Sequence, residues 1–291
     1  FIGKRRTYYG GVKMLLDYHV HSDYSDDSWY LMEDIVKDAI ALGLDEICFT
    51  EHVDYGVKED WKEGDTYLVG GNKIVKNVNY PLYFKEIKSL RKKYEKKIAI
   101  KIGMEFGMQV HTIDRFQDLY DQNDFDFILL SIHQVEDKEF WTNEFQKGKS
   151  DAQIYQEYYE EMYRLVKSYK DYSCLAHMDL IRRYLDDKED RFEENKAIIE
   201  KILRQVIADG KGIELNTSSE RYGLDGLTPS IEILKLYHDL GGKVITIGSD
   251  SHKKEHLGFK IEESKKLIKD LGFDYYCSFD RMKPVFHSLG A

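Results

Sequence analysis

"LLDYHVHSDYSDDS", residues 15–28, runs from an apolar lead-in straight into two histidines set among acidic residues. In an extended chain residues i and i+2 share a face, so His19 and His21 can aim their imidazoles at one point while Tyr18 and Val20 face elsewhere. An unbroken apolar run, without polar alternation, is what a strand buried on both faces looks like. The stretch therefore poses two questions: whether other runs of this kind follow, and whether they too end in residues that bind metal.

They do. Comparable runs stand at 13–21, 46–52, 98–107, 125–133, 173–180, 212–219 and 243–252. Between them, helical spacing of apolar residues occupies 31–42, 81–95, 113–121, 151–169, 193–208, 230–240 and 258–271, with start signals at Pro81, Ser150 and Asp151, and Thr228 with Pro229. Alternation of this kind calls for parallel strands joined by right-handed crossovers. Seven units without a composition break predict an α/β fold closed into a distorted seven-stranded TIM-like barrel over 14–291, with 1–13 as an N-terminal extension. A doubly wound open sheet is second choice, weakened by the lack of a G-x-G-x-x-G turn after the first strand. "DYYCSF" at 274–279 could add a short terminal strand. Two long connections, 53–78 and 134–149, carry aromatics and could cover a site.

With 291 residues, 42% hydrophobic and 33% charged, the chain has the make-up of a soluble globular protein. Its longest apolar runs are too short to span a bilayer and no signal-peptide pattern opens it, so a cytoplasmic location without membrane contact is expected. A net charge of −10 argues against a nucleic-acid surface. Cys48, Cys174 and Cys277 are odd in number and two sit in apolar runs, which suits buried thiols rather than disulfides.

His19 and His21 end the first run, Glu51 and His52 the second, Glu105 the third, His133 the fourth, His177 and Asp179 the fifth, and Asp250 and His252 the seventh. Six of the ten histidines thus fall where a parallel barrel gathers its strand ends on one rim. Imidazoles and carboxylates crowded together are costly unless cations compensate them. Donors without thiolate suit Zn, Mn or Fe, and they are too many for one tetrahedral ion, so two or three divalent ions are expected. His111, His238, His256 and His287 lie off this rim.

The motifs "DYHVH", "TEH", "GMEFG", "LLSIH", "AHMDL" and "GSDSH", in this order over residues 14–255, resemble the polymerase and histidinol phosphatase (PHP) superfamily of metal-dependent phosphoesterases. Within it, "HMDLIRRY" and "ELNTSSERY" are most similar to the histidinol-phosphate phosphatases. The resemblance implies a trinuclear site: His19, His21, Glu105 and Asp250 on one ion, Glu105 bridging to a second with His133 and His177, and a third on His52, His252 and a residue of the loop after the first strand. Where many members have histidine in that loop, this chain has Asp27, with Asp26 as the fallback. It further implies hydrolysis of the phosphomonoester L-histidinol phosphate, a step of histidine biosynthesis. Catalytic weight would fall on Glu105, Asp250 and His252.

Two ions sharing a water can generate hydroxide near neutral pH, and arginines would then hold the phosphoryl oxygens. Arg183 and Arg221 are the candidates, Arg182 competing with its neighbour for the rim. Asn216 and Ser218 could line the sixth-strand mouth, and Asp17 and Asp179 would orient imidazoles. Glu59, Trp61 and Trp141 could receive a cationic substrate. An amidohydrolase barrel would instead show a bridging lysine and eight units; a nuclease would show a basic stripe; a non-enzymatic metal-stabilised barrel would have closed sites.

Overall fold

Each apolar run becomes a strand of one sheet. A computed structural model describes residues 14–65, 68–69 and 72–290; the extension expected at 1–13 lies outside the described residues. The strands are β1 (Leu16–Val20), β2 (Glu46–Val53), β3 (Ala99–Gly107), β4 (Phe127–Ser131), β5 (Cys174–Leu175), β6 (Gly212–Asn216) and β7 (Ile245–Gly248). They pair in parallel and in chain order. A parallel bridge between Val20 and Ser251 joins the two edges. His21 N donates to Ser251 O at 2.8 Å and Ser251 N to His19 O at 3.1 Å, so the sheet curls into a nearly closed seven-stranded barrel.

Among the described residues seven α-helices cover the outside: α1 (Met32–Ala41), α2 (Tyr80–Tyr94), α3 (Ile113–Asp121), α4 (Asp151–Ser168), α5 (Phe192–Ala208), α6 (Ile231–Asp239) and α7 (Ile261–Asp270). Their boundaries follow local chemistry. Asn79 caps α2 ahead of Pro81 in its first turn. Ser150 and Gln153 form a reciprocal capping box at α4. The inward face of α2 buries Tyr83, Phe84, Ile87, Leu90 and Tyr94 at helical spacing.

The fifth strand is shorter than its run. After Leu175 the backbone turns at His177, whose φ is +21°, and enters a 3₁₀ segment at Leu180–Tyr184. The turn brings the imidazole back over the barrel mouth instead of continuing the ladder.

The stretch at 274–279 does form a strand, yet not within the barrel. β8 (Tyr275–Asp280) pairs antiparallel with β9 (Lys283–Ser288). This hairpin lies against the N-terminal ends of the barrel strands. Phe279 packs against Tyr18 and Phe127, with ring centroids 6.4 and 4.9 Å away. Met282 N donates to Asp126 O at 2.9 Å. The barrel floor is therefore aromatic, with Tyr18 OH accepting from Phe279 N at 2.7 Å and pairing with Glu46, while the clustered imidazoles lie at the opposite end. All three cysteines are buried free thiols. Among the described residues no helix is long and apolar enough to cross a membrane.

Candidate metal centre

At the C-terminal ends of the strands one buried carboxylate faces five imidazoles. Glu105 Oε2 lies 3.3 Å from His19 Nε2, 3.5 Å from His21 Nε2 and 2.8 Å from His52 Nδ1. Its other oxygen, Oε1, lies 3.2 Å from His133 Nε2 and 2.8 Å from His177 Nε2. Asp250 Oδ1 stands 3.6 Å from both His19 Nε2 and His21 Nε2. Across the mouth, Asp27 Oδ2 meets His252 Nε2 at 3.1 Å and His52 Nε2 at 3.5 Å. Four trios have ligand atoms within 4.8 Å of one another: His19, His21 and Asp250; His19, Glu105 and His177; His52, Glu105 and His133; and His21, His52 and His252. His111, His238, His256 and His287 belong to none of them.

These donors fit divalent cations. His19 Nε2, His21 Nε2, His52 Nδ1 and Glu105 Oε2 are buried and have no hydrogen-bond partner, although they converge on one another. An unsatisfied buried polar atom costs about 1–3 kcal/mol. Cations held among them would satisfy these atoms.

The other side of three of the rings is held in place. Glu214 Oε1 accepts from His19 Nδ1 at 2.6 Å, leaving Nε2 to face the cluster. Asp54 Oδ1 does the same for His133 Nδ1 at 2.7 Å. Ser25 Oγ lies 3.1 Å from His21 Nδ1 and is itself fixed by Glu51 Oε2 at 2.6 Å. Close approach of this kind requires glycine: a Cβ on Gly248 would stand 2.3 Å from His19 Cβ and 2.4 Å from Glu214 Oε1.

Burial opposes charge throughout the cluster, and at His19, His52 and Glu105 the partners override it. Against burial, the carboxylates of Glu214, Glu105 and Asp250 hold the His19 imidazole well above its ordinary value. His52 is likewise raised against burial by Asp27 and Glu105. Burial would push Glu105 up, yet His19, His133 and His52 keep it well below the usual carboxylate range. His21 moves the other way, lowered by burial and then by the neighbouring imidazoles of His52, His252 and His19. The cluster thus attracts positive charge but cannot protonate every ring.

A cavity of about 290 Å³ opens above it, lined among others by Asp26, Asp27, Lys58, Trp141, Arg183 and Tyr222. The Arg183 guanidinium stacks 4.1 Å from the Tyr222 ring and approaches Asp250 Oδ2 at 3.3 Å. Arg182 turns away and pairs with Asp179 at 3.0 Å, both fully buried. This resolves the competition between the two arginines.

The remaining candidates fall as follows. Arg221 does not line the cavity: it donates to the carbonyls of Ser249 and Asp250 at 2.7 and 2.9 Å, bracing the turn where Asp250 adopts φ +55°. Asp17 accepts from Ser249 N at 2.8 Å and Gly258 N at 2.9 Å, and Asp179 from Arg182 and Ser230 N, so neither orients an imidazole. Glu59 and Trp61 line a separate surface pocket beside Arg115. Asn216 and Ser218 contact Asp250 Oδ2 at 3.4 and 3.3 Å. Sequence reasoning missed Glu214, Asp54, Lys58 and Tyr222. A glutamate in the wholly buried β6, in the sequence GIELN, was a usable signal for Glu214, since a buried carboxylate needs a partner. Nothing comparable marks Asp54.

The PHP domain profile matches residues 17–218. Histidinol-phosphatase of Lactococcus lactis is 36% identical over 92% of this chain and 95% of its own length. A probable histidinol-phosphatase of Thermotoga maritima is 28% identical over 90% and 94%. Among solved structures, histidinol phosphate phosphatase of L. lactis, complexed with zinc, L-histidinol and phosphate, superposes with a TM-score of 0.78 at 34% identity, covering 93% of this chain and 98% of that one. A putative histidinol phosphatase from Listeria monocytogenes shares the fold, with a TM-score of 0.70 at 22% identity over 85% and 99%. On this evidence the chain belongs to the PHP-domain family, in its histidinol-phosphatase branch.

Proposed function

We propose that the chain is a metal-dependent phosphomonoesterase that hydrolyses L-histidinol phosphate to L-histidinol and phosphate. The observation that carries this is the Glu105 carboxylate, whose two oxygens face two separate sets of imidazoles. In this reading His19, His21, Glu105 and Asp250 hold one ion, and Glu105, His133 and His177 a second. His52, His252 and Asp27 hold a third. Bound divalent ions, zinc being the one named for the L. lactis relative, supply acidity to water and positive charge to a phosphoryl group.

The residues of the chain do the rest. Glu214 and Asp54 fix the ring tautomers of His19 and His133 so that Nε2 faces inward. Arg183, held by Tyr222 and Asp250 at the cavity wall, presents guanidinium donors to phosphoryl oxygens as their charge grows. Asp26, Asp27 and Trp141 line the outer cavity, where an ammonium and an imidazole ring would be received. His252 Nδ1 lies 3.0 Å from the Asp250 carbonyl, which would leave Nε2, beside Asp27, to face the third ion.

The test is turnover of histidinol phosphate by zinc- or manganese-loaded protein, beside chelator-treated protein and a generic aryl phosphate. The expected result is metal-dependent release of phosphate with clear preference for histidinol phosphate. Equal turnover of both esters would remove the substrate assignment; full activity after chelation would remove the mechanism.

A further inference from the structure

The turn that carries Asp27 is held by lysines from a distant part of the chain. Residues 22–28 fold back on themselves, with Ser25 N donating to Ser22 O at 3.0 Å and Ser28 N to Ser25 O at 3.3 Å. This leaves the carbonyls of Asp23, Ser25 and Ser28 pointing at one spot, and Lys73 Nζ occupies it: Asp23 O lies 2.6 Å away, Ser28 O 2.5 Å, and Ser25 O completes the set. Three converging carbonyls form a cation site, and an ammonium has three donors to match. The Trp29 ring lies 5.7 Å from Nζ on the outer side. A second lysine, Lys58, is nearly buried and bridges Asp26 Oδ1 at 2.8 Å to Asp54 Oδ2 at 2.9 Å. Both lysines belong to the long connection between β2 and α2. The same turn is tied to the rest of the mouth, since Ser28 Oγ donates to the His252 carbonyl at 3.0 Å.

We propose that Lys73, seconded by Lys58, is a positioning residue for the third cation: by gathering three carbonyls of the 22–28 turn it sets Asp27 opposite His52 and His252. The inference rests on the trinuclear reading above. Asp27 is half exposed and reaches the two imidazoles from a turn, not from a strand, so its placement depends on whatever fixes that turn. The long connection between β2 and α2 therefore works as a clasp, in addition to walling the cavity.

The experiment loads purified full-length chain with Zn²⁺ and strips it with graded chelator, reading bound zinc by elemental analysis, in the natural protein, Lys73→Met and Lys73→Arg. Far-UV circular dichroism confirms folding. The expected result is that one equivalent in Lys73→Met leaves at about tenfold lower chelator, in the range for loss of an orienting partner, while the other two leave as in the natural protein. Lys73→Arg, whose planar fork cannot point three donors into one cone of carbonyls, behaves likewise and carries the test if the methionine variant does not fold. Identical stripping of all three equivalents in both variants overturns the clasp and leaves hydrolysis standing. Three equivalents in the natural protein without hydrolysis of histidinol phosphate overturn the proposed function and leave the clasp standing. Uptake of only two equivalents by the natural protein overturns the third position and the clasp together.

Discussion

Two neighbouring arginines show how far a residue's role depends on where the backbone aims it. Arg182 is locked to Asp179 in the interior, whereas Arg183 faces the cavity. Removing one member of a fully buried pair leaves an uncompensated charge, so Arg182→Ala should lose about 3–5 kcal/mol of stability, visible in denaturant unfolding. Arg183→Ala also takes a buried partner from Asp250 and should cost some stability, but its distinguishing loss is about 10²–10³ in kcat, the size expected for one lost donor to developing charge. Glu214→Gln removes the charge that sets the His19 tautomer, and a drop of about 10–100-fold in zinc affinity or turnover is expected by titration and assay. The candidate ligands themselves were legible because histidine and carboxylate at strand ends leave few other readings. Their orienting partners were not. Whether Asp17 or Glu214 reaches His19 depends on barrel curvature, and Asp17 turned out to hold Ser249.

Elements were legible where one force dominated. Continuous apolar runs and amphipathic stretches placed the seven strands and seven helices to within a few residues. The exceptions lie where tertiary geometry cut a run short, as at His177 after β5, or where a strand found a partner outside the barrel, as β8 did with β9. The floor hairpin is a separable contribution to stability. Phe279→Ala empties an aromatic site against Tyr18 and Phe127 and should cost about 3–5 kcal/mol in unfolding free energy, with kcat unchanged below the melting transition. β7 is sensitive at its other end. A methyl group on Gly248 collides with His19 and Glu214, so Gly248→Ala should displace the first ligand and reduce bound zinc, even though the change is small and conservative by composition.

For the whole molecule, an overall charge of −10 surrounds a cluster that draws in cations. Without metal, protons take part of that role: against burial, Glu105 and Asp54 push the His133 imidazole up to about 9. A ligating imidazole is neutral, so zinc added to metal-free protein at pH 7.5 should displace protons, measurable with an indicator dye in weak buffer. Acidification runs the exchange backwards and should expel metal. Zinc at a hundred times its dissociation constant should also raise stability by about 2.7 kcal/mol per site, seen as a higher melting temperature that chelator reverses.

The seam between Val20 and Ser251 carries one more consequence. Asp17 and Ser249, 232 residues apart, are joined directly at that seam, and the ligands on either side come from the two extremes of the barrel. During synthesis the early histidines emerge long before their last companions and wait, unable to form a site, until the seventh strand arrives. Catalysis is therefore also a report that the ring has shut, and a nascent or clipped chain lacking Asp250 and His252 should be inert however much of the barrel it retains.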